Sequence, residues 1–164
     1  YFGVTPVLML FWPYAAIAGH YWVYRDGGFV FFSVGFLAGA ALLWLVWRRY
    51  FAEVPFAVVV VGTLALGLAG LTLPILSKCK AHEVAIGCGY ALTMVSLLLM
   101  WKAVHVTGGR SWWLAAASLA YGLAAGARPS LLLGAVILLV PAVQAWRAQR
   151  RFWPLALPSP RSEA

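Results

Sequence analysis

Acidic residues are almost absent from this chain: four Asp and Glu occur in 164 residues, and charged side chains of both signs make up only 10%. An ordinary soluble domain carries about 25% charged residues, so a water-facing shell cannot be assembled from what is present. Cysteine is equally scarce. Cys79 and Cys88 stand nine positions apart, a spacing that implies neither a disulfide framework nor a metal site. His20, His82 and His105 are scattered, and no Ser/His/Asp grouping, phosphate-cradling Gly-rich loop or metal-spaced His/Cys cluster is present. The segment therefore carries no legible catalytic set, and no cofactor is predicted from it. A divalent metal would have to be held by residues outside it.

What fills the chain is apolar sequence: 64% of the residues are hydrophobic and nine are Trp. A core of this length could not hide so many apolar side chains from water, whereas a bilayer accepts them directly. The expected fold class is all-α, a polytopic transmembrane helical bundle of about five spanning helices. Uncharged runs place the spans at 28–47, 54–76, 84–101, 111–127 and 130–146, each close to the roughly 20 residues that cross a hydrocarbon core. Residues 1–19 are aromatic but broken by Gly3, Pro6, Pro13 and Gly19, which suits a juxtamembrane or re-entrant helix. Phe11, Trp12, Tyr14, Tyr21, Trp22 and Tyr24 suit a headgroup-level aromatic belt. His20 to Gly28 reads as a polar loop with a Gly27-Gly28 turn signal, and Gly108-Gly109 marks another turn. Residues 147–164 form a basic tail expected to be disordered. The chain opens on Tyr1 without a signal peptide, and a fragment of a longer protein is expected.

The net charge of +8 does not point to nucleic acid. The cations stand in small groups between apolar runs, as topology-setting loops do. If all five spans cross, Arg25, Lys78, Lys80 and Arg128 share one side, and the other eight Lys and Arg share the opposite side. The side with eight is expected to be cytoplasmic, which places Arg128 at the outer face with Asp26, His82 and Glu83. Arg128 and Pro129 are wedged between two apolar runs, and the proline forces a tight bend there by disfavouring helical geometry in Arg128.

Three groups of residues invite a role. Lys78, Lys80 and Arg128 would form a cationic outer rim able to hold a phosphate or simply lipid headgroups. Glu83, with Gly87 and Tyr90 along the same helix, is either a carboxylate complementing the positive helix end or a polar partner for Arg128 or a ligand. Gly35 with Gly39, and Ser118 with Gly122 and Gly126, are small residues at four-residue spacing, fit for close helix packing within the chain or for a homodimer face.

The stretch Tyr-Phe-Gly-Val-Thr-Pro-Val-Leu at 1–8, His-Glu-Val-Ala-Ile-Gly-Cys-Gly-Tyr at 82–90 and Gly-Leu-Ala-Ala-Gly-Ala-Arg-Pro-Ser at 122–130 resembles polytopic bacterial GT-C glycosyltransferases of the protein mannosyltransferase-like kind. The resemblance implies an enzyme of the bacterial plasma (inner) membrane that moves a sugar from a polyprenyl-phosphate carrier at the outer face, by inverting displacement with a carboxylate base. In that family the base sits in the first outer loop, which would precede Tyr1, so this segment would contribute carrier contacts, with Arg128 foremost. The competing expectation is a transporter or a non-catalytic membrane scaffold. In either case membrane lipid is an expected partner and nucleic acid is not.

Overall fold

The computed structural model describes residues 4–69, 81–106, 109–140 and 142–143. Lys78, Lys80, Cys79, the end of the second expected span and the basic tail lie outside the described residues. Among the described residues every regular element is helical. A π-helical turn, Val7–Phe11, runs into α1 (Trp12–Ala18), which stops at Gly19 in the left-handed conformation (φ 70°). Then follow α2 (Tyr24–Tyr50), α3 (Phe56–Ala69), α4 (Ala81–His105), α5 (Arg110–Ala127) and a 3-10 helix, Pro129–Leu138. Two of these, α2 and α4, are long and apolar enough to cross a membrane.

The bundle is organised around α4. It packs on α2 with a constant offset of 55 positions. A Cβ added to Gly87 would lie 3.0 Å from the Phe32 ring, one on Gly35 would enter the Tyr90 ring, and one on Gly39 would touch Met94. Near the far end the Tyr50 hydroxyl lies 3.3 Å from His105 Nε2. A fixed offset means that α2 and α4 run parallel. The chain between them must therefore return to the starting end, and α3 begins that return. Phe56 packs edge-on to Trp44 near the end of α2, while Gly67 faces Phe36 further back. On its other side α4 packs antiparallel on α5, where buried Ser96 Oγ donates to the Ala117 carbonyl at 2.8 Å. Small residues line this seam: Cys88, Ala117, Ala124 and Ala127 are all buried, so the backbones approach closely and dispersion acts over many atoms.

The outside of the bundle is apolar as well. Leu37, Val61, Leu68, Leu119 and Leu133 are all exposed, Leu133 to 87%. Scattered exposed leucines are ordinary, but a surface built from them is the reverse of a water-soluble domain.

Several local expectations need correction. Arg25 to Gly28 is not a loop: these residues form the first turn of α2, and both glycines are buried. Gly27 lacks a side chain because the Phe11 ring occupies that space, 2.8 Å from where a Cβ would sit. The helices also overrun the uncharged runs at both ends, α2 by taking in Arg25, Arg48 and Arg49, and α4 by taking in Lys102 and His105. Charge ends an apolar run but does not end a helix, since Arg and Lys are good helix formers. At 130–146 an α-helical span was expected, whereas the structure has a 3-10 helix over Pro129–Leu138. The Tyr121 hydroxyl donates to the Leu131 carbonyl at 2.7 Å, occupying an oxygen that would otherwise accept within an α-helical ladder. Gly109 is left-handed (φ 69°), as a turn there requires.

Candidate functional site

The parallel and antiparallel registers bring the starts of α2 and α4 and the close of α5 to one end of the bundle. Arg25, Asp26, His82, Glu83 and Arg128 belong to that end. Arg48, Arg49, Lys102 and Arg110 belong to the other. This sorting comes from the packing rather than from counting spans.

Each polar side chain at the Arg128 end has an identifiable position. Arg25 Nε lies 3.9 Å from Asp26 Oδ1, with both side chains exposed; such a pair is screened and contributes little. Glu83 stands in the first turn of α4, where its carboxylate complements the positive helix end. Its Oε1 is 4.0 Å from His82 Nε2. Arg128 closes α5 in an extended conformation (φ −144°, ψ 110°), with its amide bonded to the Ala124 carbonyl at 3.0 Å. Pro129 disfavours the helical alternative for the residue before it.

The Arg128 stem lies over Gly89 of α4: a Cβ at Gly89 would be 3.7 and 3.8 Å from Arg128 Cγ and Cδ, and 3.2 Å from Leu131. Gly87 and Gly89 thus serve opposite sides of one helix, the first admitting Phe32 of α2 and the second admitting the arginine. Gly89 is six positions beyond Glu83, about 9 Å along the axis at 1.5 Å per residue. Among the described residues no ion pair joins Arg128 to Glu83. The guanidinium is held by its apolar stem and left available at its head, as a long cationic side chain on an apolar surface allows.

Tyr90 is not at this site. Its ring wedges between α2 and α4 against Gly35 and Phe32, and its hydroxyl points toward Gly39, away from Glu83. The small residues divide too. Gly35 and Gly39 face α4, and Gly126 faces Thr5, whose Oγ1 would be 2.7 Å from a Cβ there. Ser118 and Gly122 lie on the exposed side of α5, with nothing within 4 Å of a Cβ at Gly122. The packed face of α5 is instead Ala117, Ala120, Ala124 and Ala127, offset by one position. Alanine permits nearly the same approach as glycine, so spacing alone does not select between the two faces.

Beside the site is a cleft of about 690 Å³ between the N-terminal segment and the first turn of α4. Phe11, Trp12, Trp22 and Tyr24 form one wall, and Ala81, Val84 and Ala85 form the other. Trp22 is held by stacking on Tyr14 at 4.5 Å, and Phe11 packs on Tyr24 at 5.7 Å. Ala85 is one helical turn before Gly89, so the cleft wall leads toward the Arg128 stem. Sequence reasoning placed these aromatics in a belt and missed the cleft. The Gly-Cys-Gly spacing at 87–89 was the available signal that two neighbours approach α4 from opposite sides. Among the described residues no group of three or more His, Cys, Asp or Glu is placed to hold a metal ion.

An apolar, aromatic-walled cleft on the same end of the bundle as a guanidinium with no ion pair among the described residues suits an amphiphile with an anionic head. It does not by itself constitute a set of reacting groups. No protein family, curated protein or solved structure matches the chain.

Proposed function

We propose that this protein is an integral membrane helical bundle of a bacterial plasma membrane that binds a polyprenyl-phosphate sugar carrier at its outer face, as part of a GT-C-like glycosyltransferase. The observation that carries the reading is the seating of Arg128. The Arg128 guanidinium has no carboxylate partner among the described residues, and its stem lies on Gly89, one helical turn along α4 from Ala85 in the wall of an aromatic cleft of about 690 Å³. Phosphate would meet the guanidinium through charge-assisted hydrogen bonds, and the first isoprene units would lie against Phe11, Trp22 and Val84. Lys78 and Lys80 would add charge on the same side. The general base would come from residues outside this segment.

The membrane part of the reading draws on α2 and α4, whose length and apolarity suffice to cross, and on the leucine- and valine-rich outer surface. With alternating helix directions, the end bearing Arg48, Arg49, Lys102 and Arg110 would be cytoplasmic.

The test is photocrosslinking of the purified protein with a polyprenyl-phosphate analogue. Arg128→Leu should abolish labelling while the amount of protein in the membrane stays unchanged. Labelling that persists at wild-type strength would refute the phosphate role and leave Arg128 as the structural corner of a transporter or scaffold.

A further inference from the structure

The opposite end of the bundle holds a second polar cluster with no part in carrier binding. There the ends of α2 and α4 are tied together. His105 Nδ1 donates to the Trp101 carbonyl at 2.8 Å, so in the neutral ring Nε2 accepts from the Tyr50 hydroxyl, 3.3 Å away. The Trp101 and His105 rings lie 4.0 Å apart, and Tyr50 meets Trp101 edge-on at 5.8 Å. These rings form a fixed aromatic floor beside the entry to α5.

Two cations stand at that entry. Lys102 Nζ lies 4.8 Å from the centroid of Trp113. Arg110 is three positions before Trp113 on α5, hence its neighbour on the same helix face. Arg110 occupies an electrostatically unfavourable place. It opens the helix at the positive end of the dipole, with no acidic residue in the first turn and no side-chain cap. Its Nε is buried and makes no hydrogen bond. Arg48 and Arg49 add charge at the end of α2. Glu53, the one carboxylate at this end among the described residues, is exposed and forms no ion pair with any of them. A cation against a positive dipole and a second cation fixed over the adjacent ring are both relieved by one external anion.

The surroundings define the anion. Trp112 is 76% exposed beside the pair, and Val104 and Val106 are also exposed, so the ligand brings apolar chains along with its charge. Indole rings next to cations at the end of an apolar helix match the level of lipid phosphates. We propose that Arg110 and Lys102, arranged around Trp113, bind the phosphate of an anionic phospholipid from the leaflet at this end. The site rests on the membrane reading above but needs neither Arg128 nor a polyprenyl carrier.

Detergent-purified protein titrated with phosphatidylglycerol or phosphatidylcholine and read by native mass spectrometry should retain phosphatidylglycerol in preference. Lys102→Gln should weaken that retention about five-fold, the usual effect of one cation near an anionic lipid surface. Arg110→Gln should weaken it at least as much, with phosphatidylcholine adducts unchanged. Arg25→Gln, at the other end, should leave phosphatidylglycerol retention intact, which separates this site from the carrier site. Equal retention of the two lipids, or wild-type retention by Lys102→Gln, overturns the proposal. Displacement of the lipid by equimolar inorganic phosphate overturns it too, by assigning the site to a soluble anion. Should Arg110→Gln not fold, exposed Lys102 decides the matter alone.

Discussion

Replacing Gly35 by alanine probes the contact that sets α2 parallel to α4. The added Cβ would enter the Tyr90 ring and come within 3.1 Å of Ala91 Cα. A ring can swing aside, but the Ala91 backbone belongs to the central helix and cannot. Overpacking of this kind costs about 1–3 kcal/mol, and two obstacles, one of them backbone, put it near the upper end. Against this, alanine in place of glycine within a helix gains about 0.5–1 kcal/mol. The net expectation is a loss of about 2 kcal/mol. Gly122→Ala is the matched control. Nothing lies within 4 Å of its Cβ, so only the propensity gain remains, and the two variants should differ by about 3 kcal/mol. Dodecyl sulfate titration from mixed micelles, followed by far-UV circular dichroism, measures both. In a Tyr90→Ala background the Gly35→Ala loss should shrink by about 1 kcal/mol, the coupling expected for residues in contact. If Gly35→Ala and Gly122→Ala shift the midpoint equally, the register of 55 positions is wrong, and with it the sorting of charges to two ends.

Three further outcomes are expected. Ser96→Ala removes the buried hydroxyl that bonds to the Ala117 carbonyl and should lower stability by about 1 kcal/mol in the same titration, leaving helical content unchanged. Tyr121→Phe frees the Leu131 carbonyl and should allow residues after Pro129 to relax toward α-helix, read as a small gain in ellipticity at 222 nm; no change would detach the 3-10 geometry from that bond. In a cysteine-free background, Arg25→Cys and Arg49→Cys, at the two ends of α2, should be labelled from opposite sides of the membrane by an impermeant maleimide, and labelling of both from one side would contradict a crossing by α2.

For Arg25, Arg48, Arg49, Lys102, Arg110 and Arg128, the cations among the described residues, the charge count and the packing give the same sorting by independent routes. Counting places Arg25 and Arg128 together only if every run crosses. The contacts place them together because Phe32, Gly35, Gly39 and Tyr50 meet Gly87, Tyr90, Met94 and His105 in order, while α5 returns along α4. For these described residues the sorting does not depend on residues 130–146 spanning, nor on how 1–19 sits.

The sequence by itself determined that the chain is helical and apolar, that a turn falls at Gly109, and that Arg128 would be extended before Pro129. Those are local matters: side-chain chemistry, a missing Cβ and a proline ring act over a few residues, so composition and neighbours suffice. Tertiary structure decided which small residues matter. Gly27 in the first turn of α2, Gly87 and Gly89 on opposite sides of α4, and the alanines of α5 instead of Ser118 and Gly122 are distinguished only by what approaches them. It also decided that Tyr90 is a wedge, that Arg128 rests on Gly89 without meeting Glu83, and that Arg110 has a buried donor with no acceptor. In a chain where nearly every position is apolar, periodicity carries little information about which face turns inward, because lipid and protein interior accept the same side chains. Shape then selects the neighbours, and shape exists only once the helices are packed.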